Sequence, residues 1–600
     1  MRELEYPFNA EEIVRKKKAY RKRLLSADAG LFTEKRIAVL GGATTSDIKQ
    51  ILELFLLNNG IRPQFYESEY NRYYEDGRFP NPELSEFKPD VIYVCTSVRN
   101  ITGFPSPSDS PAACGEKLSA CLEHFTGLWD NLLETYRCPV IQNNFEYPSF
   151  RLLGNMDAWD IHGRVNFVSG LNAAFNKYAE EHSSFYICDI NYLSSVVGLD
   201  RWSDPSYWHM YKYAVAVPVI PHLAFNVSNI IKSIFGKNKK VLNLDLDNTL
   251  WGGVIGDDGA DNIEIGQENA AAQTFSEFQE YLKLRKELGT LLTVNSKNDE
   301  AVAKSGFDRP DSILKLNDFA DFRANWEPKS MNLRETASDL NLLPESFVFV
   351  DDNPAEREII RQQVLGAAVP ELDDPEHFLR IIDRSGFFEP VSLSEDDLAR
   401  NRMYEENAKR KQLQKSFEDY DEYLRSLEMK AEIKPFSPVY MSRIAQLTNK
   451  SNQFNLTTKR YTQTGIESAA EDPERITLYG KLTDRFGDNG VVSLVIGRID
   501  GENKDELHIE LWLMSCRVLK RKMENAMMDS LIDCAGQKGV TRIRGYYYPT
   551  AKNAMVKEFY GEMGFTKVSE DEKGNSVWEY VIGETPVKSQ DVIEVNRSED

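Results

Sequence analysis

The chain has 600 residues, with 94 acidic and 72 basic side chains, which gives a formal net charge of −22. This length is enough for about three or four domains that each bury a core. The acidic balance argues against nonspecific nucleic-acid binding, which depends on lysines and arginines that neutralise phosphates. Seven cysteines without CxxC spacing argue against a disulfide framework or a structural zinc site, so we expect a reduced, cytoplasmic setting.

No stretch of the sequence has the length and hydrophobicity of a membrane span. The longest apolar run, residues 213–225, is short and is interrupted by Pro218 and Pro221. The N-terminal segment carries charges throughout and lacks the apolar region of a signal peptide. We therefore expect no membrane association.

Residues 1–235 are predicted to form an α/β domain. A basic helix is followed over residues 36–60 by the pattern of a strand, a glycine-rich turn and an amphipathic helix. Later apolar segments have the pattern of further strands: DVIYVCTSV, CPVIQNNF and SFYICDINYL. Strands that alternate with helices predict a parallel sheet. This arrangement loosely resembles an SGNH-hydrolase-like domain.

Such a hydrolase needs a serine after its first strand and a late aspartate and histidine that activate it. The first turn here is GGATTSD and lacks the expected Gly-Asp-Ser, so Thr44, Thr45 or Ser46 would have to substitute. Asp204 and His209 lie near the expected late position, but at irregular spacing. We favour a noncatalytic or specialised domain that docks a carrier or supports the next domain.

Residues 241–251, VLNLDLDNTLW, predict a buried strand that delivers Asp245 and Asp247 at its carboxyl end. In an open α/β sheet, ligands bind beyond the strand ends. Asp245 would attack phosphorus as a nucleophile, and Asp247 would protonate the leaving oxygen and later activate water. A surface turn is the less favoured interpretation, because acids in an apolar strand carry a desolvation cost without a cation.

Three further segments match the haloacid-dehalogenase superfamily in the order that it requires. Ser296 follows the strand LLTVNSKN, at the position that holds the transferring phosphoryl group in that superfamily. Lys329, in NWEPKSMNLR, resembles the lysine that balances charge on the aspartate and the phosphate. The third segment, SFVFVDDNPAERE, ends a strand in a pair of acids. The resemblance therefore implies a phosphatase domain over residues 236–390.

The acidic pair of the third segment is Asp351 and Asp352. The resemblance implies that this pair completes Mg²⁺ coordination with Asp245 and the main-chain carbonyl of Asp247. Mg²⁺ suits such a site because it takes few carboxylates together with water and phosphate oxygens. The intervals between the segments are too short for a large cap domain, so we expect a site open to a macromolecule or a tethered substrate.

The C-terminal part is predicted to contain a linker, a domain and a tail. Residues 391–430 are highly charged, lack Gly and Pro, and predict one long exposed helix. Residues 431–585 resemble the α+β acetyltransferase (GNAT) fold, in which Asn553 and Tyr560 match typical positions. Residues 586–600 are predicted to be a flexible tail. The fold class is therefore multidomain α/β, with an SGNH-like, a capless phosphatase and a GNAT-like domain.

One loop departs from the GNAT pattern. GNAT enzymes have glycines there, so that backbone N–H groups approach a pyrophosphate at a helix N-terminus. In this sequence a helix is predicted from Arg517, and Lys520 and Lys522 replace the glycines. Ordinary acetyl-CoA binding is therefore in doubt, although these lysines are expected to contact a pantetheine phosphate as point charges.

Cys516 is the candidate acyl-transfer nucleophile. It lies at a predicted strand-to-helix junction, where a helix N-terminus and Arg517 would lower its pKa. Its thiolate would attack an acyl phosphate and hold the acyl group as a thioester. The alternative is a small buried cysteine, which is the expectation for Cys95 and Cys534. His508, on the preceding strand, is a candidate base, with a structural role favoured.

The amino-acid sequences of several segments together resemble those of FkbH-like proteins: DLDNTLWGGVIGDDG, NWEPKSMNLR, VDDNPAERE, NQFNLTTKRYT and MSCRV. It covers about residues 240–580 and, more loosely, the N-terminal part. It implies an enzyme that takes 1,3-bisphosphoglycerate, removes phosphate and places a glyceryl or similar short hydroxyacyl unit on an acyl carrier protein. The alternatives are a plain phosphatase of a small metabolite and a scaffold of a polysaccharide or polyketide assembly.

Substrate and carrier contacts are predicted in two places. Asn452, Gln453 and Asn455 would hydrogen-bond substrate hydroxyls, or would equally serve to cap and turn the backbone. An acidic carrier would repel this acidic chain unless a basic patch guides docking. The candidate basic residues, which would otherwise form solvated helical faces, are Arg517, Lys520, Arg521, Lys522, Lys409, Arg410 and Lys411.

Overall fold

The computed structural model describes residues 1–26, 32–550, 552–584 and 590–596. Among these residues, no helix combines the length and the apolar character needed to cross a membrane. The multidomain α/β architecture predicted from the sequence is confirmed.

The chain divides into two compact units. The first consists of the described residues of 1–237 with 389–392, and the second of those of 238–388 with 393–600. The phosphatase segments and the C-terminal domain therefore belong to the same unit, and the N-terminal α/β domain forms the other.

The first unit is built on a parallel sheet in the order β2-β1-β3-β4-β5. Its strands are β1 (Thr33–Gly41), β2 (Ile61–Glu67), β3 (Val91–Cys95), β4 (Val140–Asn143) and β5 (Phe185–Cys188). Its helices are α1 (Ala10–Leu25), α2 (Ser46–Asn58), α3 (Tyr73–Arg78), α4 (Pro82–Phe87), α5 (Pro111–Tyr136), α6 (Arg164–Glu181), α7 (Ile190–Val197), α8 (Leu199–Trp202), α9 (Pro205–Tyr211) and α10 (Ile220–Ile234). Two apolar clusters cover the two faces of this sheet, as expected where crossover helices cover a parallel sheet.

The phosphatase part of the second unit has a parallel sheet in the order β8-β7-β6-β9. Its strands are β6 (Val241–Leu244), β7 (Leu291–Ser296), β8 (Phe319–Ala324) and β9 (Phe347–Val350). Its helices are α11 (Ile255–Asp258), α12 (Ala270–Glu287), α13 (Glu300–Ser305), α14 (Lys329–Asp339), α15 (Pro354–Gln363) and α16 (Pro375–Arg384). Between β6 and β7, a segment described without gaps, the chain forms only α11, α12 and their loops, so the site has no cap domain.

The prediction of one long exposed helix over 391–430 is wrong. The structure has three helices there: α17 (Glu395–Leu398), α18 (Arg400–Gln414) and α19 (Tyr420–Ser426). Capping side chains explain the breaks, because Ser394 accepts a hydrogen bond at the start of α17 and Asp419 does so at the start of α19. One face of α18 is buried, including Met403, Tyr404 and the charged Arg410.

The C-terminal domain is built on a sheet in the order β16-β17-β15-β14-β13-β12-β10-β18, with β11 paired to β14. Its strands are β10 (Met429–Lys434), β11 (Phe454–Asn455), β12 (Arg475–Asp484), β13 (Gly487–Ile499), β14 (Glu506–Met514), β15 (Arg542–Tyr547), β16 (Thr566–Glu570), β17 (Ser576–Val581) and β18 (Ile593–Asn596). Its helices are α20 (Met441–Lys450), α21 (Gln463–Glu471), α22 (Met523–Gln537) and α23 (Phe559–Glu562).

Two predictions in this domain need correction. The described part of the predicted flexible tail includes β18, which pairs in parallel with β10. The predicted helix from Arg517 begins only at Met523, because residues 516–518 form a short 3-10 turn and Lys520 and Lys522 both have positive φ. A left-handed backbone at these two positions interrupts a helix.

Candidate functional site

The candidate phosphatase site lies where two neighbouring parallel strands end. β6 and β9 pair in register, and Asp245 and Asp351 directly follow them. The chain passes from β6 to β7 on one side and returns to β9 on the other, so the two aspartates flank the topological switch point, where α/β sheets bind ligands. Asp352 follows next in the chain, and one oxygen from each of these three carboxyl groups lies within 4.8 Å of the others.

Lys329 is the cation of this cluster. It begins α14, and its Nζ lies 2.9 Å from Asp245 Oδ1 and 2.6 Å from Asp351 Oδ2. Its side chain is only 4% exposed. Burial alone would lower the pKa of Lys329, but the two carboxylates outweigh this effect and raise the pKa. The lysine is therefore held in its charged form between the two strand ends.

The donor set of this cluster fits a divalent cation. Three clustered carboxyl groups face one ammonium group, so negative charge is in excess. Burial, followed by repulsion from Asp245, raises the pKa of Asp351 to about 7 and raises the pKa of Asp352. A hard cation that takes carboxylate oxygens would remove this imbalance. Asp245, Asp351 and Asp352 are the residues whose side chains would hold it.

The side chain of Asp247 is not part of this three-carboxyl cluster. Its Oδ1 accepts hydrogen bonds from Trp251 Nε1 at 2.9 Å and from the backbone N–H of Ile255 at 3.0 Å, and its Oδ2 accepts one from Asn298 Nδ2 at 3.0 Å. Burial raises the pKa of Asp247, and the charge of Asp245 adds to the effect. This geometry agrees with a separate role for the Asp247 side chain. Sequence reasoning missed its two side-chain donors.

Ser296 lies at the same edge of the sheet as Asp245. It is the last residue of β7, and it is buried. β7 pairs with β6 in parallel, with Val294 opposite Leu244, so Ser296 extends beyond the strand in the same direction as Asp245. The predicted phosphate-binding position is therefore next to the carboxylate cluster.

A network of buried asparagine side chains contacts the main chain of Lys329. Asn295 Nδ2 donates to Asn243 Oδ1 at 3.0 Å and to the main-chain carbonyl of Lys329 at 2.9 Å. Asn332 Nδ2 donates to Asn295 Oδ1 at 3.2 Å. All three asparagines are buried, so an unpaired amide here would be costly. The signal in the sequence is a polar residue inside each of two apolar strands.

Arg357 fixes the loop that carries the acidic pair. Its Nη1 donates to the main-chain carbonyls of Asp351 and Asp352, at 2.8 Å and 2.7 Å. The backbone N–H of Asp352 also donates to Thr249 Oγ1 at 3.2 Å, which links this loop to the loop after β6. The sequence segments NTLW and NPAERE contain both residues, but their roles were not predicted.

A second group of predicted residues surrounds a cavity of about 110 Å³ between the phosphatase part and the C-terminal domain, within the second unit. We call it the Cys516 cavity. Cys516, Arg517, Asn452 and Gln453 line it, as does Lys240 from the start of β6. The structure therefore brings together four of the residues predicted for acyl transfer and substrate binding.

Other predicted members do not line the Cys516 cavity. Asn455 is buried, and its Oδ1 accepts the backbone N–H of Thr458 at 2.8 Å, which is a structural use of the amide. His508 lies near the start of β14, about 20 Å at the usual strand rise from Met514, the last residue of the strand, which Cys516 follows by two residues. It contacts Tyr546, with 2.6 Å between Nδ1 and the hydroxyl oxygen. This position contradicts the candidate role of His508 as a base for Cys516, and the contact with Tyr546 agrees with the structural role that the sequence favoured.

The predicted support of Cys516 by a helix N-terminus is also wrong. α22 begins at Met523, after the left-handed residues Lys520 and Lys522, and only a 3-10 turn starts at Cys516. Tyr420 from α19 donates its hydroxyl to the carbonyl of Lys520 at 2.8 Å, and Lys522 Nζ lies 2.9 Å from Asp421. The linker therefore packs on the loop that was predicted to meet a pantetheine phosphate.

Two members of the predicted basic docking patch, Arg410 and Arg521, are buried, whereas Lys409 and Lys520 are exposed. Arg410 is 1% exposed and binds Asp484 through two nitrogens, at 2.7 and 2.8 Å. Arg521 is buried beside the same aspartate, with 3.2 Å between Nη1 and Oδ2. Lys411 binds Asp339. A buried pair of this kind stabilises the domain junction only because each charge has a partner.

In the first unit, the structure gives no hydrogen-bonded triad among the residues considered for a hydrolase. Thr44 Oγ1 donates to the carbonyl of Tyr211 at 2.7 Å, and Thr45 Oγ1 donates to Glu67 at 2.7 Å. Asp204 caps α9, which carries His209. Within the part of the chain that the structure describes, no hydrogen bond joins Thr44, Asp204 and His209 to one another.

Comparisons with known proteins agree with this geometry. Residues 36–232 match the family model described as FkbH, N-terminal domain. A solved structure of the N-terminal part of a Bacteroides fragilis protein, containing a phosphatase domain and complexed with Mg, is 29% identical. The match covers 64% of this chain and 100% of that chain, with a TM-score of 0.58. A search of curated proteins gave no match.

The C-terminal part is similar to acetyltransferase structures at low identity. The Escherichia coli ribosomal-protein-S18-alanine N-acetyltransferase is 14% identical, with 25% of this chain and 94% of that chain covered and a TM-score of 0.20. A GNAT-family acetyltransferase from Streptococcus pneumoniae is 15% identical, with 26% and 100% covered and a TM-score of 0.22.

Proposed function

We propose that this chain, which matches the FkbH N-terminal domain model over residues 36–232 and is similar to a solved structure that contains a phosphatase domain, combines phosphate removal with acyl transfer. In this proposal it takes 1,3-bisphosphoglycerate, or a similar short phosphorylated hydroxyacyl phosphate, and loads the acyl unit on an acyl carrier protein. The observation that carries the phosphatase half is the cluster of Asp245, Asp351, Asp352 and Lys329 at the sheet's switch point.

Phosphate removal uses side chains that already stand at one edge of the sheet. Asp245 attacks the phosphorus of the phosphoester, while Ser296 and Lys329 hold the oxygens of the transferring group. Asp247 gives its proton to the leaving alcohol and then takes one from the water that cleaves the aspartyl phosphate. When Mg²⁺ is bound by Asp245, Asp351 and Asp352, it supplies electrostatic stabilisation of the phosphate.

Acyl transfer is assigned to Cys516. Its sulfur attacks the carbonyl carbon of the acyl phosphate, so that a C–S bond forms and the C–O bond to phosphate breaks. The thiol proton leaves with the phosphate, and the products are an enzyme thioester and hydrogen phosphate. Attack by the carrier's phosphopantetheine thiol then moves the acyl group to the carrier and returns the proton to Cys516. Asn452 and Gln453, which line the same cavity, would contact the hydroxyacyl unit.

The two sites lie at opposite ends of strand β6. Lys240, in the wall of the Cys516 cavity, directly precedes β6, and Asp245 directly follows it. At the usual strand rise these residues are about 16 Å apart. A short substrate does not span this distance, so it visits the two sites one after the other. Because the phosphatase site has no cap domain, the phosphopantetheine arm of a carrier would be able to bring the bound acyl unit to it.

The experiment that tests this proposal is intact-protein mass spectrometry of a phosphopantetheinylated carrier. The carrier is incubated with enzyme, Mg²⁺ and 1,3-bisphosphoglycerate generated in situ. The wild type is expected to add a glyceryl unit to the carrier, and Cys516→Ala is expected to add none while still releasing phosphate through Asp245. Cys534→Ala, which removes a thiol outside the cavity wall, is the matched control and should load like the wild type.

The alternatives give different results in the same experiment. A plain phosphatase would release phosphate without any carrier adduct, and Cys516→Ala would behave like the wild type. A scaffold protein would give neither product, and Asp245→Asn would change nothing. Loading that continues in Cys516→Ala would contradict the assignment of the nucleophile.

A further inference from the structure

The wall of the Cys516 cavity is rich in cations from different parts of the second unit. Lys240 comes from the phosphatase part, Arg400 from α18, Arg443 and Lys450 from α20, and Arg517 from the residue after the cysteine. Carboxylates in the same wall are Glu345, Asp396 and Asp397. The cations are in excess, so the wall favours an anionic ligand.

Most of these cations are already paired with the carboxylates. Arg443 Nε lies 2.7 Å from Asp396 Oδ2, and Lys450 Nζ lies 2.9 Å from Asp397 Oδ1. Arg400 also binds Asp397, and it donates to the carbonyl of Gly289 at 2.7 Å. These three cations are therefore largely neutralised by neighbouring carboxylates.

Lys240 differs from its neighbours. Among the described residues, no carboxylate lies within 4.0 Å of its Nζ and no hydrogen bond from its ammonium group is found. Burial lowers the pKa of Lys240, and the nearby Cys516 acts in the opposite direction. Lys240 is half-buried in the wall of the cavity, and an unpaired ammonium group there favours an anionic ligand.

Tyr404 brings a second unmet hydrogen-bonding group to the same place. The residue is 7% exposed and packs in an apolar cluster of the phosphatase part against which Cys516 also packs. Its ring belongs to α18, its side chain lines the cavity, and its hydroxyl has no hydrogen-bond partner among the described residues. Burial raises the pKa of Tyr404, with Cys516 next in effect, so the hydroxyl keeps its proton and can donate it.

We propose that Lys240 and Tyr404 form an anion subsite that binds the phosphoryl group of the acyl phosphate while Cys516 attacks its carbonyl carbon. The acyl-transfer site is then composite, because the phosphatase part and the linker complete it. This inference rests on the proposed function of Cys516. As the C–O bond breaks, the ammonium group and the hydroxyl stabilise the charge that builds up on the departing phosphate. Both residues contact the leaving phosphate, and the transferred acyl group stays on sulfur.

The test measures protection of Cys516 from alkylation. The full-length protein is treated with iodoacetamide at pH 7.5 with increasing inorganic phosphate, and the modified peptide that contains Cys516 is quantified by mass spectrometry. Phosphate is expected to slow alkylation in the wild type. Lys240→Met and Tyr404→Phe should each need about tenfold or more phosphate for the same protection, which is the loss expected for one hydrogen bond to a charged group.

Lys239→Met is the matched control. Lys239 precedes Lys240, but its Nζ donates to the carbonyls of Glu345 and Gly366, at 2.8 and 3.0 Å, and it does not line the cavity. It should keep wild-type protection. Thermal unfolding of each variant checks the fold. If Lys240→Met unfolds, the protection measured in Tyr404→Phe still tests the subsite, because that substitution removes only the hydroxyl.

The inference is overturned if phosphate fails to protect Cys516 in the wild type, or if it protects the two variants as well as the wild type. That failure differs from failure of the proposed function. If loading in the carrier experiment requires Cys516 but the protection by phosphate is unchanged in Lys240→Met, the nucleophile stands and the subsite falls. If phosphate protects as expected but Cys516→Ala still loads the carrier, the proposed function fails instead.

Discussion

Asp245→Asn is expected to lower the rate of phosphate release by about a thousandfold or more, since an amide cannot form the aspartyl phosphate. The protein should remain folded. The substitution removes one of three clustered carboxylates, which repel one another. Its effect on the free energy of unfolding should therefore be small, and the loss of activity will report on chemistry alone. The measurement is phosphate release under saturating substrate and Mg²⁺.

Asp257→Asn provides the matched control. Asp257 lies in α11, on the loop after Asp245, and it is exposed. The same chemical change there should leave phosphate release within about twofold of the wild type, because isolated surface charges contribute little. Phosphate release by Asp245→Asn at more than about a tenth of the wild-type rate would contradict nucleophilic attack by this carboxylate, which normally gives a much larger loss.

Lys329→Met is expected to damage both stability and activity. The ammonium group is nearly inaccessible and lies within 3 Å of oxygens of Asp245 and Asp351. Removing it leaves two buried carboxylates facing each other, a change that typically costs about 3–5 kcal/mol of unfolding free energy. Urea unfolding at pH 7 without added metal measures this loss, and phosphate release should fall with it because the phosphate also loses its cation.

Two further variants isolate the physical cause of this loss. The double variant Lys329→Met with Asp351→Asn should recover part of the lost stability, because one of the two opposed charges is gone. Lys304→Met removes an exposed lysine that pairs with Glu300, and it should change the unfolding free energy by less than about 1 kcal/mol. A Lys329→Met variant as stable as Lys304→Met would rule out the buried charge cluster as described.

The phosphatase site was predictable because its residues follow strands. An apolar run that ends in acids places those acids at a strand end, and parallel neighbours bring several strand ends to one edge. Asp245 was found in this way, and Ser296, Lys329 and Asp351 followed from the superfamily pattern. The absence of a cap domain followed from the short intervals alone.

The supporting residues were not predictable, since their partners are distant in the chain. Asn295 matters through Asn243 and the carbonyl of Lys329, and Arg357 matters through two carbonyls. No local pattern marks such contacts. The meeting of Lys240, Tyr404 and Cys516 depends likewise on how the phosphatase part, the linker and the C-terminal sheet pack together.

Local propensity also misled the prediction of helices. The linker lacks Gly and Pro, yet capping side chains divide it into α17, α18 and α19. The segment after Cys516 has helix-forming residues, yet Lys520 and Lys522 adopt left-handed conformations, so that α22 starts later. The breaks in the linker follow local capping by Ser394 and Asp419. At the second place a tertiary contact is present, because the Tyr420 hydroxyl donates to the carbonyl of Lys520.

The measurement that tests the central claim most directly is the detection of a phosphoryl group on Asp245. Asp247→Asn should form the aspartyl phosphate more slowly, because the leaving alcohol lacks its acid. It should hydrolyse the aspartyl phosphate more slowly still, because the base that activates water is missing. The variant is mixed with Mg²⁺ and 1,3-bisphosphoglycerate generated in situ, quenched in acid and digested. We expect one phosphoryl group on the peptide that contains Asp245. We expect none when Asp245→Asn is combined with Asp247→Asn. Phosphate release without any phosphorylated peptide, or a phosphoryl group on another residue, would contradict the account.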